Sequence, residues 1–328
     1  MIRNRFFIIC VLLLSIAVLT SAGYFAVARH ALAATGSNSD TVYLYIRPGA
    51  GLSEVAREAK QADLVAAPWH LSFGARVLGL SRSLKAGEYE IDVGTTVEEL
   101  LRKLQSGKTY MRRVSIPEGY SILEVEQVLL DSFGLDTSDM ILPSEGSILP
   151  ETYFYSRGES ANKLIDRMKA GMDKTIEAAW AFRREGLPLE NEYQVRVLAS
   201  IVEKETGVPE ERPVVAAVFL NRLKKKMRLQ SDPTVIYGIT GGLPLGRAIT
   251  RQDLREETAY NTYRIKGLPP TPIANPGKAS IKAVLNPASV TYLYFVADGT
   301  GGHSFANTLS EHNKNVRAWR KIEAQNSQ

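Results

Sequence analysis

The chain has 328 residues, 45% hydrophobic and 23% charged, which is ordinary for folded protein with one large or two medium domains. Its single cysteine, Cys10, lies in an apolar N-terminal segment, so the rest of the chain offers no thiol for a disulfide, a catalytic thiolate or a metal site. The four histidines are scattered, without the spacing that brings two onto one helical face. We therefore expect neither a metal site nor a cofactor.

The N-terminal segment is typical of a membrane anchor. Residues 6–28 carry no charge over 23 positions, against the ~20 residues that a helix needs to cross the hydrocarbon core. Arg3 and Arg5 precede the segment, which favours a cytoplasmic N-terminus, although Arg29 follows on the far side. We predict a cytoplasmic tail and transmembrane anchor at 1–30, with the rest of the chain on the far side of the membrane. The alternative is a cleavable signal peptide with an A-x-A-like site in "ALAAT", although the apolar regions of such peptides usually span only ~7–15 residues.

The exported part of the chain is only mildly basic. Assigning Arg3 and Arg5 to the cytoplasm lowers the formal charge from +5 to +3, and nucleic acid is not an expected partner. The one dense basic cluster, "NRLKKKMRLQ" at 221–230, lacks the interleaved aromatic residues of a single-strand binder. A solvated helix end is the simpler interpretation of that cluster.

A short polar segment follows the anchor and precedes a repeated pattern. Residues 31–41 include "AATGSNSDT", the composition of a flexible linker. Beyond it, a β-prone run, a Gly turn and an amphipathic helix recur three times up to about residue 130. Ser53, Thr96 and Ser121 stand where the N-caps of the three helices belong.

The first copy of this pattern, "IRPGAGLSEVA", resembles the opening of LysM, a small βααβ module that binds glycans containing N-acetylglucosamine. The resemblance implies a LysM-like α+β module at 42–112. A strand, a Gly turn and a helix also make up many unrelated α+β units, so the same residues are compatible with a module that binds no glycan.

Two glutamates end an apolar helix in "VLASIVEKETGVP". Glu203 and Glu205 are about 200° apart on a helix, so both cannot line one cleft. Glu205 falls within the buried arc and is expected to be a structural acid, paired with Arg212 or Arg222, whereas Glu203 lies at the edge of that arc. Partial burial raises the pKa of a carboxyl group, as a general acid near neutral pH requires. Periodicity alone does not choose between the two, and a surface charge cluster is the commonest alternative.

The chain beyond residue 145 is rich in aromatic and amide side chains beside turns, beginning with "EGSILPETYFY". Aromatic rings with nearby hydrogen-bonding groups suit sugars, whose ring faces are apolar and whose edges are polar. The alternative for each residue is a turn cap or a place at the edge of the core. The candidate sugar-binding residues are Tyr153, Asn221, Gln230, Asp232, Tyr237, Asn261 and Tyr263.

Six motifs in order resemble one family: "LASIVEKET", "FLNRL", "RLQSDPTVIYG", "TAYNTY", "GLPPTPIANPG" and "YLYFVADGTGGHSF". They are similar to those of the endolytic murein transglycosylases, the MltG or YceG-like family, and the match covers residues 40 to 320. The departures are Ser147, where a larger residue is expected, and Glu151, where Asp is common. The resemblance implies an α+β chain with a YceG-like catalytic domain at 113–328, anchored in the inner membrane with that domain in the periplasm.

The resemblance also implies an activity. Such an enzyme cuts the bond between N-acetylmuramic acid and N-acetylglucosamine within peptidoglycan strands, leaves 1,6-anhydromuramic ends, and terminates the growth of nascent strands. It implies that Glu203, the first glutamate of "VEKET", is the single general acid and base, without metal or cofactor. Peptidoglycan is then the substrate, and peptidoglycan synthases are candidate partners.

Two other classes remain open. A non-catalytic wall-binding scaffold would use the same sugar platforms without needing either glutamate. A glycan hydrolase would need a second carboxylate, for which Asp232, Glu151 and Glu205 are the candidates. The mass of the products separates the three classes, because an anhydro end weighs one water less than a hydrolysed end.

Overall fold

The structure, a computed structural model, describes residues 2–326. The chain divides into two compact units, unit 1 (Met1–Arg112) and unit 2 (Arg113–Gln328). Both mix helices with two-stranded sheets.

Unit 1 begins with one long apolar helix, α1 (Ile2–Ala33). Its residues Arg5–Ala33 are long and apolar enough to cross a membrane, and none of the most apolar stretch is buried by the protein. The helix continues past the predicted end of the span, because its alanine-rich end suits a helix and Ala31 is fully buried. The segment after it, predicted as a flexible linker, is bound to the module: the amide of Ser37 donates to the carbonyl oxygen of Asp63 at 2.8 Å.

The rest of unit 1 has a βααβ order followed by one more helix. The elements are β1 (Val42–Ile46), α2 (Leu52–Gln61), α3 (Pro68–Val77), β2 (Gly87–Ile91) and α4 (Val97–Ser106). Strands β1 and β2 pair antiparallel, from Val42 opposite Ile91 to Ile46 opposite Gly87. The side chains of Leu44, Leu71, Tyr89 and Leu101 meet in one core. The order is that expected for a LysM-like module, and the resemblance to LysM itself stays a prediction.

The predicted N-caps are right for two of the three helices. Thr96 and Ser121 each accept a hydrogen bond from the amide three residues on, and the glutamate at that position bonds back to the cap. The prediction for Ser53 is wrong, because α2 begins at Leu52 with Gly51 as its N-cap. The N-cap lies two residues earlier than the pattern indicated.

Unit 2 is built around a bundle of helices. Its first elements are β3 (Arg112–Ser115), α5 (Ile122–Leu130), β4 (Thr152–Tyr155), α6 (Ala161–Ala181), α7 (Glu192–Glu205) and α8 (Arg212–Lys224). Then follow α9 (Asp232–Thr240), a short 3-10 helix (Asp253–Arg255), α10 (Lys278–Leu285), β5 (Tyr294–Ala297), β6 (His303–Ala306) and α11 (Leu309–Asn326). Strand β3 pairs with β4, and β5 forms an antiparallel hairpin with β6. The three strand, turn and helix copies predicted before residue 130 correspond to β1–α2, β2–α4 and β3–α5.

Helices α7, α8 and α10 pack against one another and form the main core of unit 2. Residues 197–202 of α7 are all buried, so this helix has no solvated face along its middle. Polar side chains can reach solvent only near its ends. The last turn of α7, which carries Glu203 and Glu205, is such an end.

A buried loop before α10 fixes the surroundings of that last turn. The amide of Ile273 donates to Ser200 Oγ of α7 at 3.0 Å. The amide of Asn275 donates to the carbonyl oxygen of Tyr120 at 2.8 Å. In return, the amide of Gly119 donates to the carbonyl oxygen of Asn275 at 3.0 Å. These bonds bring the loop before α5 and the loop before α10 together beside Glu203.

Replacing Thr96 with Ala should destabilise the start of α4 by about 1 kcal/mol, because it removes the hydroxyl that caps the Glu99 amide. Thr96→Ser is the matched control, since it keeps the hydroxyl. Hydrogen exchange of the α4 amides in the detergent-solubilised protein measures the effect. Equal protection in the Ala and Ser variants would show that the cap contributes nothing.

Candidate active site

Glu203 is held at the end of α7 with little access to solvent. Its side chain is 5% exposed. The backbone amide of Gly277 donates to Oε2 at 2.8 Å, and Arg212 Nη2 donates to Oε1 at 3.4 Å. Arg212 is the first residue of α8, so the turn between α7 and α8 places it beside the carboxylate. The carboxyl group is thus fixed by partners from two other segments.

A second carboxylate, that of Glu118, lies in the same place. Its Oε2 is 3.7 Å from Arg212 Nη2, the nitrogen that also contacts Glu203. The Glu118 side chain is 44% exposed, in contrast to Glu203. Burial and the negative charge of Glu203 raise the pKa of Glu118, and Arg212 opposes them. One guanidinium therefore contacts two carboxyl groups.

Gly277 touches both carboxylates. A Cβ on Gly277 would lie 1.8 Å from Glu118 Oε1, so a side chain there would collide with that carboxylate. The backbone of Gly277, with φ −76° and ψ 168°, is one that any residue adopts. The glycine is therefore required by the close approach of Glu118 and not by its own conformation.

Sequence reasoning missed Glu118. The candidates for a second carboxylate were Asp232, Glu151 and Glu205, and the structure brings none of these onto Arg212. Glu151 pairs with Lys278. The available signal was "PEGYS", in which an acid stands next to Gly119, whose φ of +78° marks a sharp turn.

Arg212 itself is incompletely satisfied. Its side chain is 14% exposed, and its Nε is buried without a hydrogen-bond partner among residues 2–326. Unpaired buried donors are uncommon in folded proteins and cost stability. The guanidinium retains a donor beyond its two carboxylate contacts.

Glu205 points into a different cluster. Ser231 Oγ donates to its carboxylate at 2.5 Å. Burial and the charge of Asp232 raise the pKa of Glu205 to about 7, against the lowering effects of Ser231, His303 and Arg222. Of the two arginines expected beside Glu205, Arg222 acts on its charge, whereas Arg212 contacts Glu203 and Glu118.

Three predicted sugar-binding residues lie in the cluster around Glu205. Tyr263 donates its hydroxyl to Asp232 Oδ1 at 2.6 Å. Gln230 accepts from Arg222 Nη1 at 3.3 Å and has a φ of +53°, a strained backbone for a residue other than glycine. The structure thus groups these residues with Glu205.

Two predicted amides have structural partners instead. Asn221 Nδ2 donates to the carbonyl oxygens of Val290 and Tyr292. Asn261 is fully buried, and its Nδ2 donates to the carbonyl oxygen of Glu256 at 2.6 Å. Both sets of contacts favour the alternative of a structural role.

The two remaining tyrosines lie in different places. Tyr153 donates its hydroxyl to the carbonyl oxygen of Leu149 at 2.7 Å. Tyr237 lines a cavity of about 320 Å³ whose wall also includes Lys204 and Ile273. Lys204 follows Glu203 in the chain and donates to the carbonyl oxygen of Gly119 at 3.2 Å. Tyr237 is therefore the candidate best placed to hold a sugar near the carboxylate pair.

Glu145 is a further buried acid that sequence reasoning missed. It accepts from the amide of Ile122 at the start of α5, from Asn275 Nδ2 and from the Tyr237 hydroxyl. Burial raises its pKa to about 6. With these partners, Glu145 links the loop before α10 to the N-terminus of α5.

Comparison with known proteins gives the family. The sequence profile of the YceG-like family matches residues 44–318. The chain belongs to the YceG-like family. The resemblance read from the sequence motifs is thereby confirmed.

Three relatives of this YceG-like chain show how far the similarity reaches. A Bacillus subtilis (strain 168) protein named endolytic murein transglycosylase is 30% identical over 306 residues, 84% of this chain and 83% of the relative. A Streptococcus pneumoniae (strain D39) protein of the same name is 28% identical over 93% of this chain, which spans 63% of that relative. A crystal structure of a yceG-like protein from Listeria monocytogenes aligns with a TM-score of 0.53 and 29% identity, over 84% of this chain and 99% of that one.

The raised pKa of Glu205 predicts a pH-dependent stability. As pH rises from the ordinary value of 4.5 to about 7, the unfolded chain loses this proton before the folded chain does, so folding is progressively disfavoured. Glu205→Gln removes this loss, so its free energy of unfolding should rise relative to that of the native chain as pH increases across this window. The total rise should be on the order of 3 kcal/mol, with no further increase at higher pH. Melting curves of the detergent-solubilised protein measure the difference.

Glu257→Gln is the control for this experiment, because Glu257 is 78% exposed and paired only with Arg264. Its melting temperature should follow that of the native chain at every pH. If the Glu205→Gln curve also runs parallel to the native one, Glu205 does not hold its proton in the folded state.

Proposed function

We propose that the protein is an endolytic lytic transglycosylase that cleaves peptidoglycan between N-acetylmuramic acid and N-acetylglucosamine within a strand, leaving a 1,6-anhydromuramic end. The observation that carries the proposal is Glu203, the first glutamate of "VEKET", fixed by Gly277 and Arg212 with little access to solvent. Two relatives named endolytic murein transglycosylase support it. In this reaction Glu203 is the acid and base group.

The chemistry needs proton transfers on one face of the sugar. The bond from C1 to the departing oxygen breaks, and O6 of the same muramic acid closes onto C1. O6 stands on the same ring face as the β-linked leaving group, so it attacks from the side that the leaving group vacates. A carboxyl group on that face can donate the first proton and take the second.

The carboxylate pair supports an enzyme over a wall-binding scaffold. Glu118 and Glu203 share one guanidinium nitrogen, and both lie against Gly277. The two relatives named endolytic murein transglycosylase favour ring closure by O6 over hydrolysis, in which two carboxyl groups flank the scissile bond. A wall-binding scaffold would have no use for a carboxylate pair held in this way.

The location follows from α1. We propose that α1 anchors the protein in the inner membrane with its N-terminus in the cytoplasm and both units in the periplasm. An anchored enzyme meets strands where they are polymerised, which suits termination of nascent strands and contact with peptidoglycan synthases. Unit 1, as a LysM-like module, would add glycan affinity without chemistry.

Glu203→Gln should lower turnover by roughly 10²–10⁴-fold, the range typical of a lost acid-base group, because the amide cannot exchange protons. The fold should survive, since the amide still accepts from the Gly277 amide. Release of anhydro-muropeptides from isolated peptidoglycan, beside melting curves, measures both. Glu205→Gln should stay active. If Glu205→Gln is instead inactive but stable while Glu203→Gln is active, the acid-base role belongs to Glu205.

The proposed topology predicts the behaviour of reporters fused after Gln328. Alkaline phosphatase, which folds actively only outside the cytoplasm, should be active there, and β-galactosidase should not. The N-terminal sequence of the isolated protein should include residues 1–30, because the anchor is retained. Cytoplasmic reporter activity would refute the topology, and a mature start after Ala33 would establish a cleaved signal peptide.

A further inference from the structure

The Arg212 guanidinium holds two carboxyl groups, although the one-residue scheme above needs only Glu203. Nη2 of Arg212 is 3.4 Å from Glu203 Oε1 and 3.7 Å from Glu118 Oε2. Gly277 donates its amide to Glu203 and leaves the space that Glu118 Oε1 occupies. The two acids therefore lie beside the same cation, and each carboxyl group acts on the charge of the other.

The surroundings of the two carboxyl groups differ in solvent access and in hydrogen-bond partners. Glu203 is 5% exposed and is fixed by two donors, the Gly277 amide and Arg212. Glu118 is 44% exposed, accepts no hydrogen bond from the Gly277 amide, and can reach a bound strand. Burial and the charge of Glu203 raise the pKa of Glu118, and Arg212 opposes them. Glu118 is therefore the acid that is free to approach the departing oxygen.

We propose that the two proton transfers are divided between these residues: Glu118 protonates the departing glycosidic oxygen, and Glu203 removes the proton from O6. The inference rests on the proposed transglycosylase function and revises its one-residue scheme, because Glu118 and not Glu203 then donates the first proton. Arg212 positions both carboxyl groups and offsets the charge that passes between them.

The step balances without water or a co-reactant. The bond between C1 and the bridging oxygen breaks and its electron pair stays on that oxygen, which takes the proton of Glu118. A lone pair of O6 forms the new bond to C1, and the O6 proton passes to the Glu203 carboxylate. The products are a free hydroxyl and a 1,6-anhydro ring, and proton exchange from Glu203 to Glu118 through solvent restores the starting state.

A substrate with a good leaving group separates the two roles. The 4-nitrophenyl β-glycoside of a glycan fragment that ends in N-acetylmuramic acid releases nitrophenolate, which leaves without protonation. Glu118→Gln should lower turnover of isolated peptidoglycan by at least ~10²-fold, the low end of the range for a lost general acid. The same variant should cleave the nitrophenyl substrate within about threefold of the native rate, whereas Glu203→Gln should fail on both substrates.

Glu98→Gln is the matched control for exposure and pairing. Its side chain is 41% exposed and its carboxylate pairs with Arg102, but it lies in unit 1 on α4. It should retain native rates on both substrates. Native turnover of peptidoglycan by Glu118→Gln would overturn the inference, and so would an equal loss on both substrates, which would make Glu118 a positioning residue only.

Gly277→Ala tests the same inference without changing an acid. The added methyl group would displace the Glu118 carboxylate, whose end is flexible, while the backbone amide still donates to Glu203. Turnover of peptidoglycan should fall at least tenfold, and nitrophenyl cleavage should be kept. In a Glu118→Ala background the same substitution should have no further effect, because the atoms that it displaces are gone.

The outcomes distinguish this inference from the function on which it rests. Gly277→Ala could lower peptidoglycan turnover as much in the Glu118→Ala background as in the native one. That result would show that the methyl group acts on Glu203, which overturns the role of Glu118. Native enzyme that releases only hydrolysed ends would instead refute the transglycosylase function itself. If the native enzyme leaves anhydro ends and Glu118→Gln is fully active, the transglycosylase function is retained. The division of the two proton transfers between Glu118 and Glu203 is then refuted.

Discussion

The site depends on one guanidinium, that of Arg212, held between the carboxylates of Glu203 and Glu118. The positive charge of Arg212 offsets the repulsion between the two carboxyl groups, because like charges at short range disfavour each other's ionised form. Arg212 keeps this position because it begins α8, whose buried face packs against α7 and α10. The core of unit 2 thus sets the electrostatics of the site.

The loop before α10 is the second part of this arrangement. Its residues 272–277 are buried, and its amides reach α7, the loop before α5 and Glu203 itself. Gly277 combines an amide donor for one carboxylate with open space for the other. The last turn of α7 then separates two polar environments: Glu203 faces the carboxylate pair, and Glu205 faces Ser231 and Asp232. Two glutamates two residues apart can have different chemistry because the helix turns them to different neighbours.

Local sequence signals predicted what depends on nearby residues. The apolar run at 6–28 predicted a long N-terminal helix, and hydroxyl residues before amphipathic runs predicted the caps at Thr96 and Ser121. The motif order predicted the family, which was confirmed. Glu118 could not be found in this way, because its contact with Arg212 exists only after three distant segments pack together. The partners of Asn261 could not be predicted for a related reason: an amide beside a turn looks available in sequence, whereas in the structure its Nδ2 donates to the carbonyl oxygen of Glu256.

In the proposed reaction the sugar's own O6, and not water, attacks C1 on the side of the carboxylate pair. Digestion of isolated peptidoglycan by the native protein in oxygen-18-labelled water, followed by mass spectrometry of the released fragments, tests this directly. We expect new ends that lack a water and carry no heavy oxygen. Incorporation of heavy oxygen into the new ends at the moment of cleavage would show that water is the nucleophile and would contradict the proposed reaction.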